Sequence, residues 1–356
     1  MTFNNPKAGA WMIYGANGYT GELAAREAAR RGLSPILAGR NGERVRALAR
    51  ELGLEARVFG LDDATALASE LYGVSAVLHC AGPFVLTSAP MVRAALGTGA
   101  HYLDITGELT VFETVLAQGE GAKRAGVSLL PGVGFDVVPT DCLAAQLAAR
   151  LPGATELDLA FYSPRAVTSR GTMKTMVESL PASGAVRRNG RIVPVPLAFD
   201  AREIDFGPPA GKRWAMTIPW GDVSTSWWST GIPNIRVYTG ASPKRIAQLR
   251  RLRPFVRVLG WPPVKRLLRA AIDRRAPGPS AETRDAARVY LWGEARDGAG
   301  NRAEARLSTP EAYRFTAESA VTAVQKVLAG AVAPGAWTPS KAFGEGFVRE
   351  IPGVEG

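Results

Sequence analysis

The sequence predicts an α/β protein: a doubly wound parallel sheet joined to a second α+β domain built on a largely antiparallel sheet. Three observations predict it. Short apolar runs alternate with helix-patterned runs through the first part of the chain. A glycine-rich loop joins the first apolar run to the first helix. After Leu151 the helical runs thin out and strand-like alternation takes over.

The elements follow in order. "AWMIYG" (10–15) is a short apolar run ending in glycine, and "ELAAREAARRG" has the apolar spacing of a helix that stops at Gly32. "SPILAG" reads as the second strand, "NGERVRALARELG" as a helix stopping at Gly53, and "ARVFGLDD" as the third strand. "VSAVLHCAG" is the fourth strand, "APMVRAALGTG" a helix, "HYLDIT" the fifth strand, "VFETVLAQGEGAKRAG" one helix and "VSLLPGVGF" the sixth strand. Strands separated by helices of this length need crossover connections, which place them in a parallel sheet. Further on, "TELDLAFYS", "GRIVPVPLAF", "KRWAMTIPW" and "NIRVYTG" are β-like, and "ARVYLWGEARDGAGNRAEARLS" reads as a hairpin turning near "DGAGN". "TAESAVTAVQKVLAG" is an amphipathic helix. The expected division is a doubly wound domain over 1–145, an α+β domain over 146–310, and a helix and tail over 311–356 returning to the first domain.

Composition narrows the class. The 356 residues are 46% apolar and 21% charged, ordinary values for a globular chain. The start of the chain shows no signal-peptide pattern and no run is long and apolar enough to span a membrane, so a soluble protein is expected. Two cysteines, Cys80 and Cys142, form no disulfide framework and no zinc spacing, and reduced thiols suit a cytoplasm. With only His79 and His101, a His-rich metal site is excluded and no metal is expected. His79, inside an apolar strand, reads as a core residue.

The net charge of +11 is concentrated: eleven Lys or Arg residues and one acid, Asp273, lie between Lys244 and Arg275. The remainder is close to neutral, which argues against a nucleic-acid binder.

Gly15, Gly18 and Gly21 form G-x-x-G-x-x-G between the first strand and the first helix. In that place the first glycine permits a tight turn, the second lets backbone approach a pyrophosphate, and the third lets helix pack on strand. The helix N-terminus then offers free N–H groups to the phosphates. The loop is read as the dinucleotide cradle of a Rossmann-type domain, with Asn17, Tyr19 and Thr20 beside the glycines. The end of the second strand decides the dinucleotide. An NAD site usually carries an acid there; this chain has Arg40, with Arg44 one helical turn on. Both are placed to pair with a 2′-phosphate, so the expected cofactor is NADP(H). Asp62 is read as a neighbour of the adenine or as a cap of the helix "DATALASELYG". Ala81, Gly82, Pro83 and Phe84 end the fourth strand and leave room for the cofactor along the carboxyl edge of the sheet.

Together "YGANGYTGE", "LAGRN", "AGPF", "HYLDITGE" and "PGVGFDVVPTD" resemble the saccharopine dehydrogenase-like reductases, and more narrowly the branch that includes the bacterial trans-acting enoyl reductases. The motifs occur in order over residues 10–141. The tail "TPSKAFGEGFVREIPGVE" resembles the same branch, and the middle matches only through "SRGTMKTMVES" and "GPSAETR". Asn17 stands where threonine is commoner in that family. The resemblance implies an NADP-binding Rossmann domain, a substrate and dimerisation domain, and hydride transfer to an activated double bond. The leading expectation is reduction of a C=C or C=N bond of a small, apolar or acyl-type substrate, and the antiparallel sheet of the second domain suits a homodimer.

Such chemistry needs at most one proton from the protein. Candidate donors are Asp104 with Glu108 in "YLDITGE", Asp136 and Asp141 in "GFDVVPTD", Tyr102 and Lys174. A carboxyl group serves if burial raises its pKa. Equally, Asp104 and Glu108 can fix a loop, and Asp141 can cap the helix "CLAAQLAAR". Asp104 also counts among the cofactor-binding candidates. Trp214, Trp220, Trp227 and Trp228 cluster, and such aromatics pack a core, line an apolar pocket or form a dimer face. In "VKRLLRAAIDRR" (264–275), Val264, Leu267, Leu268, Ala271 and Ile272 share one helical face. The basic 244–275 segment is read as a solvated face, or as a weak contact for an anionic membrane or an acyl-carrier protein. Two other functions stay open: an NADP(H) sensor without turnover, and saccharopine-type amino-acid chemistry with Arg165, Arg170 or Lys174 clamping a carboxylate.

Overall fold

The computed structural model describes residues 9–164, 167–179, 184–255 and 261–356. They form two compact units. One comprises Met1–Asp136 and Tyr313–Phe343, the other Val137–Ala312 and Gly344–Gly356. The chain thus changes unit ahead of the boundary expected at 145, and its tail is divided between the two units.

In the first unit, β1 (Trp11–Tyr14), β2 (Ile36–Gly39), β3 (Ala56–Val58), β4 (Ala76–His79), β5 (His101–Asp104) and β6 (Ser128–Leu130) lie in the order β3-β2-β1-β4-β5-β6. The strand Gly335–Ala336 adds to β6, and every pairing is parallel. Every residue of β1, β2 and β4 is buried, so these strands read as continuous apolar runs: helices cover both faces. Met12, Tyr14, Val77, Tyr102 and Leu129 belong to the core on one side. The order reverses between β1 and β4, which puts the ligand crevice at the carboxyl ends of these strands.

The helices of this unit are α1 (Tyr19–Arg30), α2 (Gly42–Leu52), α3 (Ala64–Leu71), α4 (Phe84–Thr98), α5 (Leu109–Leu116) and α6 (Gly119–Ala125). The run expected as one helix from Val111 to Gly126 is two, because the chain turns at Ala117–Gln118 to lay Gly119 against Ala336 of the edge strand. The helix Ala312–Leu328 returns to this unit, where the Thr316 hydroxyl accepts from the Phe135 N–H at 3.0 Å and Ser319 donates to the Val133 carbonyl at 2.9 Å.

The second unit is built on β7 (Glu156–Tyr162), β8 (Gly184–Arg188), β9 (Arg191–Val195), β10 (Ala201–Asp205), β11 (Lys212–Thr217), β12 (Asn234–Gly240), β13 (Arg288–Arg296) and β14 (Arg302–Pro310). Six lie in the order β10-β11-β12-β7-β13-β14, while β8 pairs with β12 and β9. Of these pairings β12 with β7 is parallel and the others antiparallel. The β13–β14 hairpin closes over 297–301, where the Asp297 carboxylate accepts the N–H groups of Ala299 and Asn301. Its helices include α7 (Val138–Arg150), α8 (Arg170–Ser179), α9 (Asp222–Thr230), α10 (Pro243–Arg251) and α11 (Pro262–Asp273). Trp227 and Trp228 lie on α9, and Trp214 and Trp228 are 43% and 42% exposed.

On α11 the expected apolar face divides. Val264, Leu268 and Ile272 are at least partly buried, whereas Leu267 and Ala271 face solvent. The reason is the partner helix: Glu178 of α8 pairs with both Lys265 and Arg269, which rolls the Lys265–Arg269 edge of α11 toward it. No helix of the described residues is long and apolar enough to cross a membrane. The start of the chain, residues 1–8, lies outside the described residues, as does Arg165.

Candidate functional site

The first unit brings the glycine loop, Arg40 and four of the expected donor residues to the carboxyl edge of its sheet. Gly15 sits at φ +85°, where side chains are strained, and its N–H donates to the Ala38 carbonyl at 2.8 Å. A Cβ there would come within 2.8 Å of the Ala81 nitrogen, so only glycine lets β1 end against the segment that follows β4. At Gly21 a Cβ would overlap the Gly15 carbonyl oxygen. Gly18 is exposed and occupies the N-cap of α1 without any side-chain cap bond. The helix start is therefore open to an anion, as a pyrophosphate requires. Asn17 and Thr20 are half-buried beside it, and the Tyr19 ring meets Tyr313 edge-on at 5.1 Å.

The sequence reading missed one glycine of this cradle. A Cβ at Gly39 would lie 2.7 Å from Asn17 Oδ1, so the end of β2 stays bare to admit the Asn17 side chain. A small residue immediately before Arg40 was the available signal.

Arg40 and Arg44 are exposed, and neither guanidinium has a hydrogen bond or ion pair with a described residue. Arg40 acts on the buried Tyr14 hydroxyl. Burial pushes that group up to about 12, Arg40 pulls it down and Asp62 pushes it up. Arg40 and Asp62 thus face one corner, at the ends of β1 and β2. Asp62 is not the cap of α3: Asp63 is, accepting from the Thr65 and Ala66 N–H groups.

Ala81, Gly82 and Pro83 follow β4 with solvent access, and Phe84 opens α4. Both oxygens of Glu108 are engaged here, accepting the Phe84 and Val85 N–H groups at 2.7 Å each. Glu108 thereby sets a carboxylate on the N-terminus of α4, where the helix dipole favours it. His79 is a core residue whose Nε2 meets Thr87 Oγ1 at 3.0 Å; Thr87 donates to the Ala81 carbonyl, so the histidine donates to Thr87. Burial lowers its pKa to about 3, and it stays neutral.

Asp104 is fully buried and accepts three bonds: from the Tyr102 hydroxyl at 2.6 Å, the Thr106 N–H at 2.9 Å and the Gly132 N–H at 2.8 Å. Burial raises its pKa to about 6 against the pull of those donors. Tyr102, also fully buried, has its hydroxyl committed to Asp104 and its pKa pushed well up by burial.

Asp136 differs from these neighbours. It retains some exposure and makes no hydrogen bond or ion pair with any described residue. Buried Phe135 and Val137 flank it, and a Cβ at Gly107 would collide with its Oδ2. Burial alone pushes its carboxyl up to about 7.

Asp141 and Lys174 lie in the second unit. Asp141 is inside the first turn of α7, which starts at Val138 with no side-chain cap, and it accepts from the Ser229 hydroxyl rather than capping the helix. Lys174 pairs with Asp273 at 2.6 Å, and the Arg170 Nε donates to the Arg275 carbonyl at 2.6 Å.

Residues 11–130 match the saccharopine dehydrogenase NADP binding domain. A trans-acting enoyl reductase of Mycobacterium tuberculosis is 31% identical over 203 residues, covering 53% of this chain and 48% of that protein. A human saccharopine dehydrogenase-like oxidoreductase is 26% identical over 236 residues, covering 58% and 53%. The chain spans about half the length of these curated relatives. Apo saccharopine dehydrogenase (L-Glu forming) from Saccharomyces cerevisiae shares the fold, with a TM-score of 0.66 at 14% identity over 96% of both chains. The open helix start, the glycine cradle and an arginine where an NAD site carries an acid all fit the group that the matched domain binds. Residues 11–130 of the first unit are thus similar, in sequence and in the geometry of the cradle, to the saccharopine dehydrogenase NADP binding domain.

Proposed function

We propose that the protein is an NADPH-dependent oxidoreductase that reduces an activated C=C or C=N bond of a small, apolar or acyl-type substrate. The observation that carries this reading is the unpaired Arg40 at the end of β2, beside the glycine cradle of an NADP-binding domain. The likeness to an enoyl reductase supports the C=C branch. Gly15, Gly18 and Gly21 hold the phosphates with the α1 N-terminus, and Arg40 and Arg44 receive the 2′-phosphate. When bound, NADPH supplies the hydride.

The other atom of the reduced bond needs a proton, and Asp136 is the donor. Glu108, Asp104 and Tyr102 are engaged by partners within the unit, whereas Asp136 is not, and its raised pKa keeps it largely protonated up to neutrality. A saccharopine-type carboxylate clamp has less support, since Arg170 and Lys174 are engaged by Arg275 and Asp273. The reading includes a reducing compartment, which the two unpaired thiols Cys80 and Cys142 suit. It also includes a homodimer, which light scattering tests.

The test is oxidation of NADPH, followed by absorbance, with an α,β-unsaturated thioester and with an imine as acceptors. kcat is expected to fall as pH rises through about 7, and Asp136→Asn to lower it by about a hundredfold or more while leaving the NADPH Kd unchanged. A variant that keeps the wild-type rate removes Asp136 from the role. Binding of NADPH with no turnover on either acceptor leaves the sensor reading in its place. The raised pKa also has a consequence for stability. The fold penalises the ionised carboxylate, so stability is highest below the ordinary Asp range and falls as pH rises through about 7. Discounted for partial exposure, Asp136→Asn is expected to stabilise the protein by on the order of 1 kcal/mol at mildly alkaline pH and not at acid pH. Denaturant titration at both pH values reads the difference.

A further inference from the structure

We infer that α10 and α11, with the described residues Leu252, Phe255 and Trp261 beside them, dock on the surface of a membrane carrying anionic phospholipids. The inference stands apart from the proposed reaction and rests on what the fold leaves outside. α11 is held to α8 by three ion pairs: Lys265 and Arg269 with Glu178, and Asp273 with Lys174. Its opposite side carries Pro263, Arg266, Leu267, Ala270, Ala271 and Arg274, spaced as one helical stripe and all exposed. A helix already packed on one face would ordinarily show solvent a polar second face. This one shows leucine and alanines between arginines.

The neighbouring residues continue the pattern. Leu267, Trp261 and Phe255 are 72%, 62% and 59% exposed, three of the four most exposed large apolar side chains among the described residues, and Leu252 is 43% exposed. Charge agrees with them. Lys244, Arg245, Arg251, Arg266 and Arg274 are exposed, and their side chains have no partner among the described residues. The one acid of the segment, Asp273, is already paired with Lys174. Bulky apolar groups interleaved with free cations match a surface that is negative at its face and apolar just beneath it. Arginine stems run along such a boundary with their heads at the phosphates, and Trp261 at the α11 N-terminus is the residue type that sits at headgroup depth. An acidic protein would meet the cations, but it would need apolar hollows matched to each of four scattered side chains.

Sedimentation of the full chain with vesicles tests the inference, using phosphatidylcholine alone and phosphatidylcholine mixed with phosphatidylglycerol. The protein is expected to pellet with the mixed vesicles at low salt, not with phosphatidylcholine alone, and to be released by salt. The double substitution Arg266→Glu and Arg274→Glu is expected to weaken binding by at least about twentyfold, since each cation near the surface contributes about fivefold. Trp261→Ser with Leu267→Ser is expected to weaken it while leaving the salt dependence in place. All four side chains are exposed, and circular dichroism checks the fold. If the α11 charge variant fails to fold, Lys244→Glu with Arg251→Glu on α10 asks the same question. No pelleting, equal pelleting with both vesicles, or wild-type binding by folded variants overturns the inference. A partner that is an acidic protein would appear as the first of these outcomes.

Discussion

Arg40→Asp is expected to invert the cofactor preference. In the wild type, fluorescence titration should show NADPH binding well ahead of NADH. The Arg40 guanidinium is exposed and has no carboxylate to leave before it meets a ligand phosphate. A charge-assisted bond to a phosphate, replaced by a like charge, costs about 3 kcal/mol, on the order of a hundredfold in Kd. NADH should lose nothing, and it should gain if the new carboxylate accepts from the ribose hydroxyls, as acids do at this place in NAD sites. Arg44 lies one helical turn away with its side chain equally unpaired, so Arg44→Ala should produce a smaller loss in the same direction. Equal loss of both cofactors in Arg40→Asp would mean a disturbed loop rather than a lost phosphate contact. Unchanged NADPH binding would remove Arg40 from the site.

Asp104→Ala is expected to be the most destabilising single change at the carboxyl edge of the sheet. The carboxylate is the acceptor for three buried donors: the Tyr102 hydroxyl and the Thr106 and Gly132 N–H groups. Alanine leaves all three without a partner, at a cost of about 3–5 kcal/mol, read from the denaturant midpoint. Asp104→Asn separates hydrogen bonding from charge. Its Oδ1 can accept both N–H groups, and its Nδ2 can donate to the Tyr102 oxygen, so it should stay within about 1 kcal/mol of the wild type near neutral pH. It should also flatten the pH dependence. Because burial raises the Asp104 pKa to about 6, its contribution is fully present below the ordinary Asp range and declines as pH rises through about 6.

The first unit was largely legible because its signals are local. β1, β2 and β4 are buried on both faces and read as unbroken apolar runs between glycines. The second unit was less so. β8 and β10 went unassigned because charged residues interrupt their patterns. Arg187 of β8 is buried with its guanidinium on the Val223 and Gly190 carbonyls, and Arg202 of β10 reaches the buried Asp158 of β7. Arg236 of β12 and Arg296 of β13 meet the same carboxylate. No spacing along the chain announces a cluster drawn from four strands. The division of the α11 face was missed for a related reason. Helical periodicity says which residues share a face, but the neighbouring helix selects the face that is covered.

From the sequence alone came the parallel α/β architecture, the glycine loop between β1 and α1, and an arginine at the end of β2. Each is a relation between residues a few positions apart, governed by backbone sterics and hydrophobic period. The fates of the acids were decided by tertiary structure. Glu108 caps a helix 24 residues earlier in the chain, Asp104 accepts from a backbone N–H 28 residues later, and Asp141 takes a serine hydroxyl 88 residues away. Asp136 shares its motif with Asp141, yet it lies against Gly107 with no partner among the described residues. The state of a carboxyl group depends on the donors and the burial that the fold brings to it, and these come from distant parts of the chain.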